Sequence, residues 1–211
     1  MSEIYILGTG VLAEEVFALV HHSYEGSVAG FVENWRREKV GKKLCGRPII
    51  WVDDLPNGAK CVCSLATTKR KGFIDQVRDK AQFITYVHTS SMVLPSMPRI
   101  ELGEGVLISA GVIIGSNTQL GNFVFINRGV KIGHHTKIGD YTTIQPGVNI
   151  AGCVEIGTAA YIGMGSIIID RLKIGSGSTI AAGSVVIKDV PENVLVAGNP
   201  AVVKKENIDE R

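Results

Sequence analysis

At 211 residues the chain has room for one large or two small domains, and 45% hydrophobic with 20% charged residues is an ordinary globular balance. A net charge of +2 gives no electrostatic reason to expect a nucleic-acid partner. No apolar run approaches the ~18 residues that span a bilayer, and no secretory leader precedes Ile4, so a cytoplasmic protein without membrane insertion is expected.

Residues 4–7 read as a buried strand, and Gly8-Thr9-Gly10 as the turn after it. Residues 11–22 carry Leu12, Val16, Leu19 and Val20 at helical spacing. A second strand, 28–32, ends at Glu33-Asn34; 49–51 and 61–63 are short strand candidates. Residues 68–80 suit a helix and 83–87 a last strand. Strands alternating with helices imply a small parallel sheet. The domain expected over 1–90 is therefore α/β and half-Rossmann-like, with 88–99 (Pro95 and Pro98 included) as the join to residues 91–211. The four cysteines lack a metal-finger spacing, and Cys61 and Cys63 read as buried free thiols on one face of a strand.

The first turn is open to three readings. Gly8-Thr9-Gly10-Val11-Leu12-Ala13 is a G-x-G-x-x-A between strand and helix, with Glu33 ending the next strand. That layout suits nucleotide phosphate, because glycine lets the backbone approach and a helix N-terminus favours negative charge. A purely structural tight turn and a true NAD site are the others. The roughly 90 residues ahead of the second domain make only about one mononucleotide-binding half, which weighs against NAD. Arg36, Arg37, Lys39, Lys42 and Lys43 follow closely, either to meet the phosphates of an anionic substrate or as a solvated basic hairpin.

From Leu102 every sixth residue is aliphatic as far as Val186, fifteen positions without a slip. A period of six fits neither a helix nor an alternating strand. It fits short strands wound round a prism, one aliphatic per side pointing at the axis, with glycine permitting the sharp corners. Three sides make an 18-residue coil, and fifteen repeats make five coils that bury a continuous core. After Val186 the period breaks at Pro191, Asn193 and Gly198-Asn199-Pro200-Ala201.

Gly133-His134-His135-Thr136 is the most informative group on the repeats. Two adjacent histidines at a corner satisfy no packing rule; they are either a chemical site or a surface pair without a role. A zinc site is not expected: position 139 is Gly, and His21, His22 and His88 lie outside the repeats.

The repeat pattern resembles the hexapeptide-repeat acyltransferases. The whole chain is similar to sugar acyltransferases of the sialic acid O-acetyltransferase type, which include the bacillosamine-pathway N-acetyltransferases. The resemblance rests on residues 5–13, 30–34 with 46–49, 87–90, 132–140 and 196–201. Its most specific stretch is G-H-x-x-x-I-G-D-[FY], here Gly133 to Tyr141.

The resemblance implies a left-handed parallel β-helix, a homotrimer with active sites between subunits, acetyl-CoA as co-substrate and a nucleotide sugar as acceptor. It puts the general base on His134, with His135 and Asp140 beside it as further catalytic candidates. His135 departs from the family's Asp or Glu, which orients the base; Asp140 or a neighbouring subunit's carboxylate are the substitutes. It sets Gly152 against the thioester, Met164 and Ala182 beside the pantetheine arm, and Thr143 near the coenzyme in place of a histidine. Gly8, Thr9, Gly10, Glu33, Asn34 and Ser64 fall on the nucleotide-sugar side. Val11 stands where the family often has histidine. N-acetylation of a nucleotide-linked amino sugar for a surface glycan is the reading these residues favour. A sugar amine has an appreciable free-base fraction near neutral pH and tolerates an imperfectly oriented base. O-acetylation of sialic acid or a related sugar, and a non-catalytic nucleotide-sugar-binding solenoid, are the alternatives.

Overall fold

A computed structural model of the protein describes residues 3–23, 28–93 and 100–206. The chain divides into two compact units, Met1–Tyr86 and Val87–Arg211.

The first unit is built on β1 (Ile4–Leu7), α1 (Val11–Ser23), β2 (Val28–Glu33), β3 (Lys43–Leu44), β4 (Arg47–Trp51), β5 (Ala59–Cys63), α2 (Arg70–Val77) and β6 (Ala81–Phe83). Its sheet runs β3-β4-β2-β1-β5-β6 and is parallel except for the β3–β4 hairpin. The chain leaves β1 toward β2 and later returns to its other side with β5, so a crevice opens at the carboxyl ends of these three strands. Ile4, Ile6, Leu7, Phe31, Val32, Cys61, Val62 and Ile74 fill the core. Burial pushes the Cys61 thiol up to about 12, with Cys63 adding to the rise, so it stays protonated and inert at neutral pH.

Two expected boundaries move. The second helix is shorter than 68–80, and the expected strand 83–87 divides, with Ala81–Phe83 closing the first sheet. Tyr86–Val87 begins a sheet of the solenoid instead, where the His88 N–H donates to Ile108 C=O (2.9 Å). Most of the expected join, residues 94–99 with both prolines, lies outside the described residues.

The second unit is a three-sided parallel β-helix. Face one carries Leu107–Ile108, Phe125–Ile126, Thr143–Ile144, Tyr161–Ile162 and Thr179–Ile180. Face two carries Ile113–Ile114, Lys131–Ile132, Asn149–Ile150, Ile167–Ile168 and Val185–Val186. Face three carries Glu101–Leu102, Gln119–Leu120, Lys137–Ile138, Glu155–Ile156 and Lys173–Ile174. Strands pair at an 18-residue register, as in Leu120↔Ile138 and Ile132↔Ile150, so each axial aliphatic lands on the one below. The winding exceeds the expected five coils: Tyr86–Val87 and Met92–Val93 extend faces one and two, and Leu195–Gly198 with antiparallel Ala201–Lys205 closes face one.

The corner glycines act differently from the expectation. Up to Ile180, the residue bent into the left-handed region is the third after each aliphatic, and it is often not glycine: Asn117, Phe123, His135, Tyr141, Cys153, Ala159 and Arg171 all have φ of 54° to 61°. The glycine immediately after the aliphatic is needed for close approach. A Cβ on Gly133 would stand 2.5 Å from the backbone of Ala151 and Gly152 in the next coil.

Candidate active site

The edge between faces two and three stacks one corner per coil at 18-residue steps: Gly115 to Thr118, then Gly133 to Thr136, then Ala151 to Val154. Backbone bonds lock the stack, with His135 N–H donating to Ser116 C=O and Cys153 N–H to His134 C=O, each 2.8 Å. Thr118 and Thr136 are fully buried and bond backbone carbonyls across the corner, which fixes the turn from inside.

Both histidines project from this edge and are exposed. The His134 ring lies over Gly152, where a Cβ would stand 2.8 Å from Cε1 and 2.9 Å from Nε2. His134 Nδ1 is 3.0 Å from His135 Nδ1, the rings nearly perpendicular at 87°. His135 Nε2 in turn lies 3.1 Å from Nδ2 of the Asn117 side-chain amide, one coil below. Three side chains thus form a hydrogen-bonded line ending on His134. Asn117 is one residue that sequence reasoning missed; its only signal was standing 18 positions before His135.

The other expected residues are distributed differently. Asp140 is one corner further round the prism, its Oδ1 accepting the Asn122 N–H (2.7 Å). It braces the corner between faces three and one, while the group on His134 Nδ1 is His135. Thr143 is fully buried (0% exposed) on the outward side of face one, like Phe125 and Thr179. It is therefore sealed from a ligand approaching the prism, contrary to its assignment near the coenzyme. Met164 (57% exposed) and Ala182 do stack, with Gly183 N–H donating to Met164 C=O (2.8 Å). They lie on the edge between faces one and two, so face two separates them from His134 within one chain.

The first unit holds a second constellation in its crevice, lined among others by Gly8, Thr9, Gly10, Asn34, Trp35 and Lys69. Gly8 adopts φ +105°, and a Cβ there would stand 2.8 Å from Ser64 Oγ, which itself donates to Leu7 C=O (2.7 Å). Ser64 thus supports the loop from below. Glu33 is almost entirely buried (3% exposed) and fully engaged. Its Oε2 accepts from the Thr9 hydroxyl, and its Oε1 from the N–H groups of Asn34, Trp35 and Arg36 at 2.9–3.2 Å. Burial pushes its carboxyl up, but the Thr9 hydroxyl, the Trp35 and Arg36 N–H groups and the Arg36 charge outweigh that and hold it below the usual range. Glu33 ties two loops together, with its oxygens committed inside the protein.

Lys39 Nζ donates to the Thr9 carbonyl (2.8 Å), and Arg36 reaches both Glu33 and the Thr9 hydroxyl. Arg37 instead covers the Trp51 ring at 4.7 Å. The basic segment is therefore split, two of its cations facing the glycine loop. The Asn34 amide donates to Gln76 (3.1 Å). Trp35, 86% exposed, stands at the crevice as a bare aromatic face that the sequence pattern did not single out. Among the described residues no three His, Cys, Asp or Glu side chains come together as metal ligands.

The family described as "Bacterial transferase hexapeptide (six repeats)" matches residues 117–152, the stretch that carries Asn117, His134, His135 and Gly152. Among curated protein sequences, none matches. Solved structures that share the full-length architecture include the following three. A point variant of perosamine N-acetyltransferase from Caulobacter crescentus, in complex with CoA and GDP-perosamine, is 25% identical, covers 98% of each chain and superposes at TM-score 0.85. WeeI from Acinetobacter baumannii is 27% identical over 97% of this chain and 100% of its own, at 0.87. The acetyltransferase domain of PglB from Neisseria gonorrhoeae is 22% identical over 97% and 100%, at 0.84, a likeness of fold. By its repeats, its two-unit plan and this full-length likeness, the chain shares the fold of these hexapeptide-repeat acetyltransferases, a small α/β unit followed by a three-sided parallel β-helix.

Proposed function

We propose that the protein transfers the acetyl group of acetyl-CoA to the amine of a nucleotide-linked sugar, serving surface-glycan synthesis, and that it works as a cytoplasmic homotrimer with sites between neighbouring prisms. The observation that carries the reading is the exposed His134 imidazole seated over Gly152 on a hexapeptide edge, with a hydrogen-bonded partner on Nδ1.

In this reading the sugar amine attacks the thioester carbonyl, and His134 Nε2 accepts the proton that the nitrogen loses. A general base so placed contributes about 10²- to 10⁴-fold. The tetrahedral oxyanion needs an N–H donor, and the Gly152 N–H, which has no acceptor among the described residues, is suited to that task. Collapse breaks the C–S bond, and the leaving thiolate takes the proton from the His134 imidazolium. The exposed Met164 and Ala182 offer an apolar track for the pantetheine arm of acetyl-CoA, against the face of a neighbouring subunit.

The crevice of the first unit is the nucleotide end. Gly8-Thr9-Gly10 brings backbone N–H groups to the phosphates, Arg36, Lys39 and Lys69 supply positive charge, and Trp35 offers a stacking face for the base. Glu33 acts by holding this loop. The complex of the Caulobacter enzyme with CoA and GDP-perosamine supports a nucleotide-linked amino sugar as acceptor.

The test is free-thiol release from acetyl-CoA against UDP-, GDP- and dTDP-linked amino sugars, with free sialic acid alongside. Release with one amino sugar is the expected result. Release only with sialic acid overturns N-acetylation in favour of O-acetylation. Ligand binding without release on any acceptor overturns the enzyme.

A further inference from the structure

The line Asn117–His135–His134 has a property that a single contact lacks: its two imidazoles and one amide can carry their protons in only two ordered ways. If the amide presents Nδ2–H to His135 Nε2, His135 must carry its proton on Nδ1 and donate it to His134 Nδ1. The His134 proton then sits on Nε2, and that nitrogen is no base. If the amide presents Oδ1, every proton moves one place. His135 Nε2–H donates to Asn117, His134 Nδ1–H donates to His135 Nδ1, and the His134 Nε2 lone pair is free. The two amide orientations differ by a half-turn that exchanges atoms of nearly equal size. The structure draws Nδ2 toward His135 Nε2 (3.1 Å), but no other described residue bonds the Asn117 side chain, so nothing opposes the half-turn that brings Oδ1 there.

We propose that Asn117 and His135 are positioning residues that hold His134 in the Nδ1–H form through the Oδ1 orientation. They do so in place of a carboxylate beside the base. This rests on His134 being the base. It also alters what a histidine at 135 is expected to do. A neutral His135 accepts from His134 through Nδ1, and it keeps accepting when Nε2 takes up a proton, so the cation that forms gains a hydrogen bond rather than a like charge. The same left-handed corner geometry that puts Asn117 at φ 56° and His135 at φ 58° aligns the two side chains across one coil step.

The charged groups around this edge are few. Lys131 and Lys137 flank it on the neighbouring strands of the same coil, Glu155, paired with Lys173 (3.7 Å), flanks the Gly152 corner one coil above, and the Asp170–Arg171 pair (3.3 Å) lies on the same edge two coils above His134. No carboxylate forms an ion pair with either imidazole among the described residues. The amide is thus the polar group that decides the proton order.

Two readouts test this. Long-range ¹H–¹⁵N correlation spectra of the imidazole rings, taken on the assembled protein without substrate above the titration range, report the tautomers directly. The expected pattern is Nδ1–H on His134 and Nε2–H on His135, retained in Asn117→Asp and lost to a tautomer mixture in Asn117→Leu. Thiol-release kinetics provide the second readout. Asn117→Leu is expected to lower kcat about tenfold or more with KM unchanged, a part of what a general base contributes. Asn117→Asp should keep kcat and move the midpoint of the pH–rate curve upward, because an anion stabilises the linked cation. An Nε2–H tautomer on wild-type His134, or indistinguishable Leu and Asp variants, overturns the inference. The expected tautomers in a protein that releases no thiol would instead overturn the acetyltransferase reading and leave the hydrogen-bonded line intact.

Discussion

The His134 ring rests on Gly152 one coil away, in space that any side chain at 152 would occupy. A Cβ there would be 2.8 Å from Cε1, well inside van der Waals contact, so the ring must swing off the edge. Gly152 is outside the left-handed region, so alanine costs nothing in backbone conformation. Gly152→Ala is therefore expected to lower kcat by about tenfold or more while leaving Tm within a few degrees. Unchanged thiol release in this variant would show that the ring does not work from this seat.

The base itself gives the sharper experiment. His134→Ala should reduce turnover by at least ~10²-fold. The side chain is exposed and supports no core packing, so the assembly seen by light scattering should be unaffected. Survival of activity would remove His134 from the chemistry and return the search to the rest of the edge.

How much of this could be read from the chain alone depends on the range of the interaction. The 18-residue coil is a local rule repeated, so the axial series from Leu102 to Val186 defined the prism and the histidine corner before any coordinates. The same rule, taken one step further, sets Asn117 beneath His135 and His134 beneath Gly152. Partnership between side chains was less legible. His135 carries no fixed negative charge with which to orient the base, but its two nitrogens meet His134 and a neighbour one coil down, contacts that only the stacking of coils reveals. Thr143 looked available because strand alternation turns it outward, yet it is itself fully buried. Glu33 looked like a ligand contact, and its commitment to Thr9 and three backbone N–H groups depends on loops that no periodicity describes.

Glu33 gives a pH prediction with a definite sign. Its carboxyl is held below the usual range in the fold, so the native state favours the ionised form. The stability this provides is complete above the ordinary glutamate pKa of about 4.3, and is lost as pH falls through the lowered native value. Glu33→Gln should lower Tm at neutral pH, and the gap to wild type should narrow on acidification below that range. A gap that widens toward low pH would mean that the fold favours the protonated acid.

Trp35 lines the crevice with almost no burial in the free chain. An aromatic stacked on a nucleobase is worth about 1 kcal/mol beyond its area, or roughly fivefold in Kd. Trp35→Ala should weaken nucleotide binding by that factor in calorimetry while leaving acetyl-CoA affinity unchanged. Equal losses for both ligands would point to damage of the fold, and no loss would remove the indole from the nucleotide site.

The prism itself is tested at Ile144. This side chain is fully buried between Ile126 and Ile162 in a column of aliphatics, with register fixed by the strands on either side. Aspartate there would place a carboxylate where no partner can reach it, at a cost of several kcal/mol even if the acid protonates. That is a large part of the stability of a domain this size. Because each coil rests on the next, the loss should not stay local: Ile144→Asp is expected to be insoluble or to lose the β signal in circular dichroism. Ile144→Val, which keeps the shape and removes one methylene, should cost only about 1 kcal/mol and retain activity. A soluble, fully assembled aspartate variant would contradict the stacked core, whereas failure of both variants would show a column intolerant of any change in volume.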